Sequence, residues 1–287
     1  MADLPRLNGI IKALEEGKTA FTTFTPPGNE NAVTLAASDY DGVVYELEHN
    51  PYDITQLRSD LQFMLNRKQI ADAGSVAPKV TPIVRIPPNG GEMSQIFAKQ
   101  VLDVGAYGVV WPHVSTVDEA YNAVAACRYP RPPESDYFEP FGQRGDAPAN
   151  AARYWGIGQQ EYYKKADVWP LNPEGEIICI IMCEEVKAIE NLDDILKQVP
   201  GIGIILIGEG DLSQELGHPR DYYHPVVAEA MAEIRKVCDA NDVVVGHPHG
   251  TTDNMELTVE QGYRFIMTAS TRSYAGLQSG KKLTNRE

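Results

Sequence analysis

Side chains able to act as acids, bases or metal ligands follow most of the short apolar runs in this sequence. Carboxylates, imidazoles and guanidinium groups together can bind a cation, move a proton or hold an anion. They stand at Glu46-Leu-Glu48-His49, Arg85, Trp111-Pro-His113, Glu184-Glu185, Gly208-Glu-Gly-Asp211, His247-Pro-His249 and Ser270-Thr-Arg272. Their positions indicate an active site, although spacing alone does not name the reaction.

Each of these residues also has an ordinary explanation when it is taken alone. Asp211 precedes the segment Leu212–Leu216 and could simply cap a helix. Glu184 could be a solvated loop residue, and His49 or His113 could be a partly buried histidine with its hydrogen bonds satisfied. A functional interpretation therefore depends on a fold that brings them together.

Eight short runs of β-strand composition, each followed by a helix-compatible segment, provide such a fold. Two of them, at Ile177–Ile181 and Ile204–Ile207, are apolar throughout, as in parallel strands buried on both faces. The runs are Thr19–Thr25, Gly42–Leu47, Val80–Ile86, Gly108–Pro112, Glu176–Cys183, Gly203–Ile207, Asp242–Gly246 and Arg264–Thr268. Eight βα alternations in 287 residues favour a (β/α)8 TIM barrel, whose active site lies at the carboxyl ends of the strands.

No linker divides the sequence, so residues 1–287 are predicted to form a single barrel domain. One irregular insertion, at residues 131–150, is rich in proline, glycine and aromatic residues. It could be a surface excursion or a lid that faces the substrate, and the sequence favours neither. A helix is expected over Met93–Asp103, ended by Gly105.

The composition is acidic, with 25 Lys and Arg against 40 Asp and Glu and a net charge of −15. This balance argues against nucleic acid and anionic membranes as partners, because both require basic surface to displace counterions. No apolar run approaches the roughly 18 residues that span a bilayer, and no signal peptide is evident, so a cytoplasmic location is expected. The four cysteines lack CxxC spacing, and Cys179 and Cys183, which stand in an apolar run, are expected to be small core residues.

Several stretches, in an order that spans nearly the whole chain, carry a resemblance to a known family. They are Tyr40–His49, Val84–Pro87, Lys99–Gly105, Arg128–Pro130, Arg144–Gly145, Glu184 with Asn191–Leu196, and Ile207–Ser213. From Leu7 to Leu277 the sequence is similar to the class II, metal-dependent 2-keto acid aldolases of the 4-hydroxy-2-oxoheptanedioate aldolase and citrate lyase-like superfamily, a group that includes macrophomate synthase.

The resemblance implies a site for one divalent cation, Mg2+ or Mn2+, with Co2+ as a third candidate. Glu184 and Asp211 would be its protein ligands, leaving positions for water and a 2-keto acid. The resemblance further implies that Arg85 holds the keto or enolate oxygen and that His49 acts as the base in the retro-aldol direction. The backbone N–H groups of Gly210 and Asp211 would receive the substrate carboxylate.

The family pairs that histidine with an aspartate, and Asp103 matches its position. The barrel prediction places Asp103 near the end of a helix, at the face opposite its own active site. Asp103 would therefore reach His49 only from a neighbouring subunit. This motivates a homo-oligomer, and the resemblance implies a hexamer.

The sequence departs from the family pattern around the expected ligands. Glu46 replaces an aspartate, Met182 a glutamine and His113 a methionine, while Glu209-Gly210, His247 and His249 also differ from the usual residues. Retained ligands with rebuilt surroundings predict conservative chemistry on an unusual substrate. The candidate substrate-binding residues are Gly210, Asp211, His113, Trp111 and His247.

Aromatic residues near these departures could receive an aromatic aldehyde. The rings considered are Trp111, Tyr137, Phe138, Phe141 and Trp155. They could instead pack the insertion onto the barrel, since large aromatic side chains contribute strongly to cores.

Three hypotheses for the function follow. The leading one is a metal-dependent carbon–carbon lyase, an aldolase that reversibly cleaves a 4-hydroxy-2-keto acid to pyruvate and an aldehyde. The second keeps the barrel and the cation but acts as a lyase or decarboxylase on an aromatic hydroxy compound, releasing a small aldehyde without pyruvate. The third is a catalytically silent binding protein, which the joint presence of Glu184, Asp211, Arg85 and His49 disfavours.

Overall fold

Eight parallel strands form a closed barrel in the computed structural model, which describes residues 5–87, 93, 95–269 and 274–286. The strands are β1 Ala20–Thr25, β2 Gly42–Glu46, β3 Thr81–Arg85, β4 Gly108–Trp111, β6 Ile177–Cys183, β7 Ile204–Ile207, β8 Val244–Gly250 and β9 Phe265–Thr268. Each overlaps one of the predicted runs, and the predicted (β/α)8 barrel is confirmed.

The order of hydrogen-bonded strands closes the ring. Neighbours run β4-β3-β2-β1-β9-β8-β7-β6, and β4 pairs with β6 in parallel register, with Val110 opposite Ile180. All carboxyl strand ends therefore share one rim. A ninth strand, β5 Val168–Trp169, pairs only with the start of β6 and was not predicted, because two residues show no periodicity.

Helices cover the outside of the barrel and bury their apolar faces against it. In the described residues they are α1 Gly9–Glu15, α2 Asn29–Ala36, α3 Ile54–Met64, α4 Arg67–Ala73, α5 Gln95–Val104, α6 Val117–Ala126, α7 Ala149–Trp155, α8 Gln159–Lys165, α9 Val186–Gln198, α10 Glu209–Glu215, α11 Pro225–Ala240, α12 Met255–Glu260 and α13 Ala275–Leu283. Gly105 follows α5 with a φ of 118°, as a helix-ending glycine should.

Strand β8 differs from its predicted bounds. It begins two residues after the expected start at Asp242 and continues to Gly250, so that His247 and His249 lie within the strand. Pro248 has no N–H to donate, and the pairing with β9 shifts register between His247 and Gly250. The irregularity accommodates a proline that, in the sequence, suggests the end of a strand.

The segment 131–150 contains no helix or strand before α7 begins at Ala149. The buried Arg128 guanidinium holds it by donating to the carbonyls of Tyr137 and Pro140, each at 2.6 Å, and by pairing with the buried Asp167. The carbonyl of Asp167 accepts from Ile177 at the start of β6. The segment therefore packs at the amino end of the barrel, opposite the rim.

The barrel core is apolar, and every residue of β6 and β7 is buried. All four cysteines are buried and free, and the prediction that Cys179 and Cys183 are core residues is confirmed. None of the helices within the described ranges has the length and apolar character to cross a membrane.

Candidate metal centre and active site

A histidine and two carboxylates meet at the carboxyl rim of the barrel. Glu184 follows β6 directly, His113 follows β4, and Asp211 is the third residue of α10, after β7. One potential ligand atom of each residue lies within 4.8 Å of the other two. We call His113, Glu184 and Asp211 the rim cluster. The N-cap of α10 is Gly208, so the alternative that Asp211 caps the helix is wrong.

Two backbone features hold the rim cluster in place. His113 has a φ of 52°, an uncommon conformation for a non-glycine residue, and its N–H donates to Glu184 Oε1 at 2.6 Å. A Cβ at Gly208 would collide with the Glu184 side chain, so the chain after β7 passes close to Glu184 only because this residue is glycine. Both features position the Glu184 carboxylate, which is 2% exposed.

The rim cluster has a surplus of negative charge. The pKa of Glu184 is raised to about 7, chiefly by burial; the nearby carboxylates of Glu48 and Asp211 contribute to the increase, and His113 opposes it. Burial lowers the pKa of His113, but Glu184, Glu185 and Asp211 outweigh burial, so that this pKa is raised. In the absence of a cation, a proton on His113 or Glu184 offsets part of this charge.

Arg85, the last residue of β3, lies beside this cluster. Its guanidinium pairs with Glu46, which stands opposite it on β2, and with Glu48 Oε2 at 3.1 Å. Its Nη1 lies 3.7 Å from the sulfur of Met182 on β6. The Nε–H of Arg85 is buried and has no acceptor among the described residues. A buried donor without a partner is available to a substrate oxygen.

His49 stands at the outer edge of the same rim. Its Nε2 lies 3.5 Å from Glu48 Oε2, and 68% of its side chain is exposed. Burial raises the pKa of Glu48, although the charge of Arg85 opposes this effect. Glu48 thus links His49 to Arg85, and its charge also acts on Glu184.

A second group, which we call the helix-side cluster, consists of Glu209, His247 and His249. Glu209 is 2% exposed, and its two oxygens lie 2.5 Å from His249 Nδ1 and 3.6 Å from His247 Nε2. The backbone N–H of His249 donates to His247 Nδ1 at 3.2 Å. The His247 ring packs edge-on against Tyr263, so His247 faces the surrounding helices and is not part of the rim cluster.

The helix-side cluster lines a cavity of about 470 Å³. Helices α11 and α12 form much of its wall, through residues such as Met231 and Leu257. Arg220 and Arg235 also line it. His247 was predicted from the sequence as a substrate-binding residue. In the structure it lines this cavity, and none of the three rim-cluster residues does.

Asp103 lies near the end of α5, which leads through Gly105 into the amino end of β4. Its Oδ1 accepts from Arg144 Nη2 at 3.0 Å, and the Arg144 guanidinium lies 4.3 Å from the centre of the Tyr129 ring. Burial raises the pKa of Asp103, although the charge of Arg144 opposes it. Within one chain, Asp103 and His49 are at opposite ends of the barrel.

The aromatic residues considered for an aldehyde site do not form one group. Trp111 ends β4 at the rim, where it is buried and its indole N–H has no acceptor among the described residues. Trp155 stacks on Tyr107 at a centroid distance of 4.3 Å and donates to the Gly105 carbonyl, which places it in the core at the amino end. The rings of Phe138 and Phe141 contact each other in segment 131–150. That segment does not cover the rim of its own barrel.

Sequence reasoning named Glu185 and Gly208 among the residues after the strands but missed how they position the site. Glu185 accepts from Ser115 and lies 2.9 Å from His113 Nδ1, and Gly208 admits the Glu184 side chain. The contact between Gly208 and Glu184 joins different strands, which local patterns do not report. The candidate group Ser270-Thr-Arg272 lies outside the described residues.

The fold is a closed parallel barrel, and an acidic cluster that contains a histidine lies at the carboxyl ends of its strands. This combination is typical of (β/α)8-barrel enzymes that use a cation site at the rim. The chain belongs to the HpcH/HpaI aldolase/citrate lyase family, whose sequence profile matches residues 23–275. The family predicted from sequence resemblance is thereby confirmed, and with it the assignment to carbon–carbon lyases.

Comparisons with individual proteins are consistent with membership of this family. A hydroxypyruvate/pyruvate aldolase of Paraburkholderia phytofirmans is 28% identical over 264 residues, which are 92% of this chain and 91% of that protein. The crystal structure of a family member from Burkholderia cenocepacia matches with a TM-score of 0.74 at 26% identity, covering 97% of this chain and 98% of the other. Macrophomate synthase shares the fold, with a TM-score of 0.68 at 24% identity and coverage of 100% and 91%.

Proposed function

We propose that this protein is a metal-dependent aldolase that reversibly cleaves a 4-hydroxy-2-keto acid to pyruvate and an aldehyde. The observation that carries the proposal is the meeting of Glu184, Asp211 and His113 beside Arg85 at the rim of a family barrel. Relatives named as pyruvate aldolases support the same reaction class.

The rim cluster fits a divalent cation. Two carboxylates supply the hard oxygen ligands that Mg2+ and Mn2+ prefer, and Co2+ accepts the same set. The surplus of negative charge that raises the pKa of Glu184 is what a bound cation would relieve. When bound, the cation would supply Lewis-acid polarisation of the keto group and stabilisation of the enolate that forms on carbon–carbon cleavage.

Residues around the cluster supply the remaining functions in this proposal. The unpaired Nε–H of Arg85 would donate to the keto oxygen, where negative charge develops. His49, oriented by Glu48, would accept the proton of the 4-hydroxyl group, directly or through water. The backbone N–H groups of Gly210 and Asp211, in the first turn of α10, would receive the substrate carboxylate.

We further propose that Asp103 acts on His49 of another copy of the chain in a homo-oligomer, with a hexamer implied by the family resemblance. Asp103 and His49 lie at opposite ends of one barrel, so a second copy must bring them together. Light scattering combined with the activity assay tests this idea. A fully active monomer would contradict it, and then Asp103→Asn would affect only the ion pair with Arg144.

A coupled assay separates the candidate reactions. Lactate dehydrogenase and NADH report pyruvate, and a parallel aldehyde assay reports the second product, for a panel of 4-hydroxy-2-keto acids with Mg2+, Mn2+ or Co2+. We expect equimolar pyruvate and aldehyde, with no turnover after chelation. Aldehyde without pyruvate would support the alternative lyase or decarboxylase, and no metal-dependent turnover on any substrate would support a binding protein.

A further inference from the structure

The third member of the rim cluster, His113, is not explained by the proposed pair of carboxylate ligands. Its ring offers a nitrogen within 4.8 Å of ligand oxygens from both Glu184 and Asp211. First-row divalent cations bind nitrogen and oxygen at about 2.0–2.2 Å, so two ligands of one cation lie at most about 4.4 Å apart, and small side-chain shifts would bring all three groups onto one cation. We propose that His113 is a third protein ligand of the cation and that it shifts the site toward transition metals over Mg2+.

The backbone presents His113 in one defined orientation. Its φ of 52° is costly for a non-glycine residue and persists only where surrounding contacts enforce it. The contact that enforces it is the hydrogen bond from the His113 N–H to Glu184 Oε1, at 2.6 Å. The same carboxylate that would bind the cation therefore also fixes the histidine beside it.

Glu185 gives the ring the carboxylate partner that ligand histidines commonly have. His113 Nδ1 lies 2.9 Å from Glu185 Oε1 and 3.7 Å from Glu184 Oε1, and the other oxygen of Glu185 accepts from the Ser115 hydroxyl. A ring that donates Nδ1–H to a carboxylate carries its lone pair on Nε2, and such carboxylate–histidine pairs commonly support metal sites. The cation and the proton on the ring compete for the same carboxylate charge, so loading the cation favours the neutral ring.

The consequence is a change in metal preference. Oxygen-only sites suit Mg2+, which seldom accepts a protein nitrogen, whereas imidazole suits the later first-row metals. One neutral nitrogen with two carboxylates binds Co2+ or Zn2+ more strongly without adding negative charge. This inference rests on the proposed cation site. Its test must therefore distinguish a cation site that lacks His113 as a ligand from a protein that binds no cation at all.

Electron spin-echo envelope modulation spectroscopy of the Mn2+-loaded protein directly detects a nitrogen ligand of the cation, and it needs no substrate. We expect nitrogen modulation in the wild type that changes from the 14N to the 15N pattern when only histidines are labelled. It should disappear in His113→Met. His218→Gln is the control, because the ring of His218 stacks on His224 and is not part of the rim cluster, so the signal should stay unchanged. If His113→Met does not fold, His113→Gln serves as the second variant.

Calorimetry of Co2+ and Mg2+ binding gives the second readout. His113→Met should weaken Co2+ binding by about 10–100-fold, while Mg2+ binding changes by less than about 3-fold. Mn2+ binding without histidine nitrogen modulation, or an equal loss for Co2+ and Mg2+, would overturn the role of His113 but keep the proposed function. Absence of binding by any of these cations would overturn both.

Discussion

The rim cluster and the helix-side cluster use the same residue types but balance their charges differently. At the rim, Glu184 and Asp211 share a single histidine, and the carboxylate of Glu48 lies close enough to raise the pKa of Glu184. In the helix-side cluster, one carboxylate faces two imidazoles, and two arginines line the same cavity.

This difference shows that charge balance, rather than the presence of carboxylates and histidines, distinguishes a cation site. The rim cluster leaves negative charge in a buried position, which is costly unless a cation or a proton compensates it. In the helix-side cluster the buried carboxylate has a hydrogen-bond partner of its own, the His249 ring. We therefore expect substitutions at the rim to affect catalysis and substitutions at the helix side to affect mainly stability.

The largest effect is expected from Glu184→Gln and Asp211→Asn. Each removes a proposed ligand charge, and we expect kcat/KM to fall by at least about 10³-fold because transition-state charge loses its main electrostatic support. Pyruvate release during a metal titration measures the effect, and circular dichroism checks the fold. Glu209→Gln is the matched control, as it removes a buried carboxylate from the helix-side cluster. Full activity in either rim variant would refute the ligand assignment.

A smaller effect is expected from Arg85→Lys. Lysine keeps a positive charge near Glu46 and Glu48 but lacks the buried Nε–H that we assign to the keto oxygen. We expect kcat to fall by about 10²-fold, with a smaller change in KM, because the lost contact strengthens in the transition state.

The control for Arg85→Lys is Arg235→Lys, since Arg235 lines the helix-side cavity and donates to Tyr263. It should change kcat by no more than about 3-fold, as expected of a residue outside the reacting centre. Equal losses in the two variants would remove the functional distinction between the clusters.

Glu209→Gln should chiefly reduce stability. Glutamine keeps the shape of Glu209 but not the charge-assisted contact with His249, and hydrogen bonds to charged groups contribute about 1.5–3 kcal/mol. We expect the free energy of unfolding to fall by about 1–3 kcal/mol in denaturant titrations. Affinity for Mn2+ should remain within about 3-fold of wild type, since Glu209 is not a rim ligand. A large loss of Mn2+ affinity would instead show that the clusters are coupled.

The barrel and the rim residues were predictable because both depend on local patterns. Continuous apolar runs marked strands such as β6 and β7, and parallel strands bring their carboxyl ends together, so Glu184 and His113 could be placed at one rim. Sequence resemblance then selected Glu184 and Asp211 as the expected ligands.

The separation into two clusters could not be predicted, because it depends on which way side chains turn. Alternation along a strand assigns each residue to a face, but the register shift around Pro248 breaks that alternation just where His247 and His249 lie. The positions of Trp155 and segment 131–150 were left open by the sequence for a related reason. Their contacts, such as the stacking of Trp155 on Tyr107, join distant parts of the chain.

The smallest expected effect is a change in the pH dependence of stability in His247→Gln. Burial lowers the pKa of His247 from its ordinary value near 6.5, and the charge of Glu209 only partly opposes this. The unfolded chain therefore binds a proton at this residue more readily than the folded chain does. Stability falls as the pH drops from about 6.5 toward the folded pKa, and it recovers as the pH rises.

Glutamine at position 247 does not titrate, so the variant should lose stability less steeply than wild type below about pH 6.5. Denaturant titrations of the metal-free wild type and variant between pH 5 and 8 measure how steeply the free energy of unfolding of each changes with pH. Glu209→Gln gives a further contrast, because removing its charge should lower the pKa of His247 further and steepen the slope. Identical slopes in wild type and His247→Gln would show that His247 carries the same proton occupancy in the folded and unfolded chains, and that the helix-side cluster does not hold it neutral.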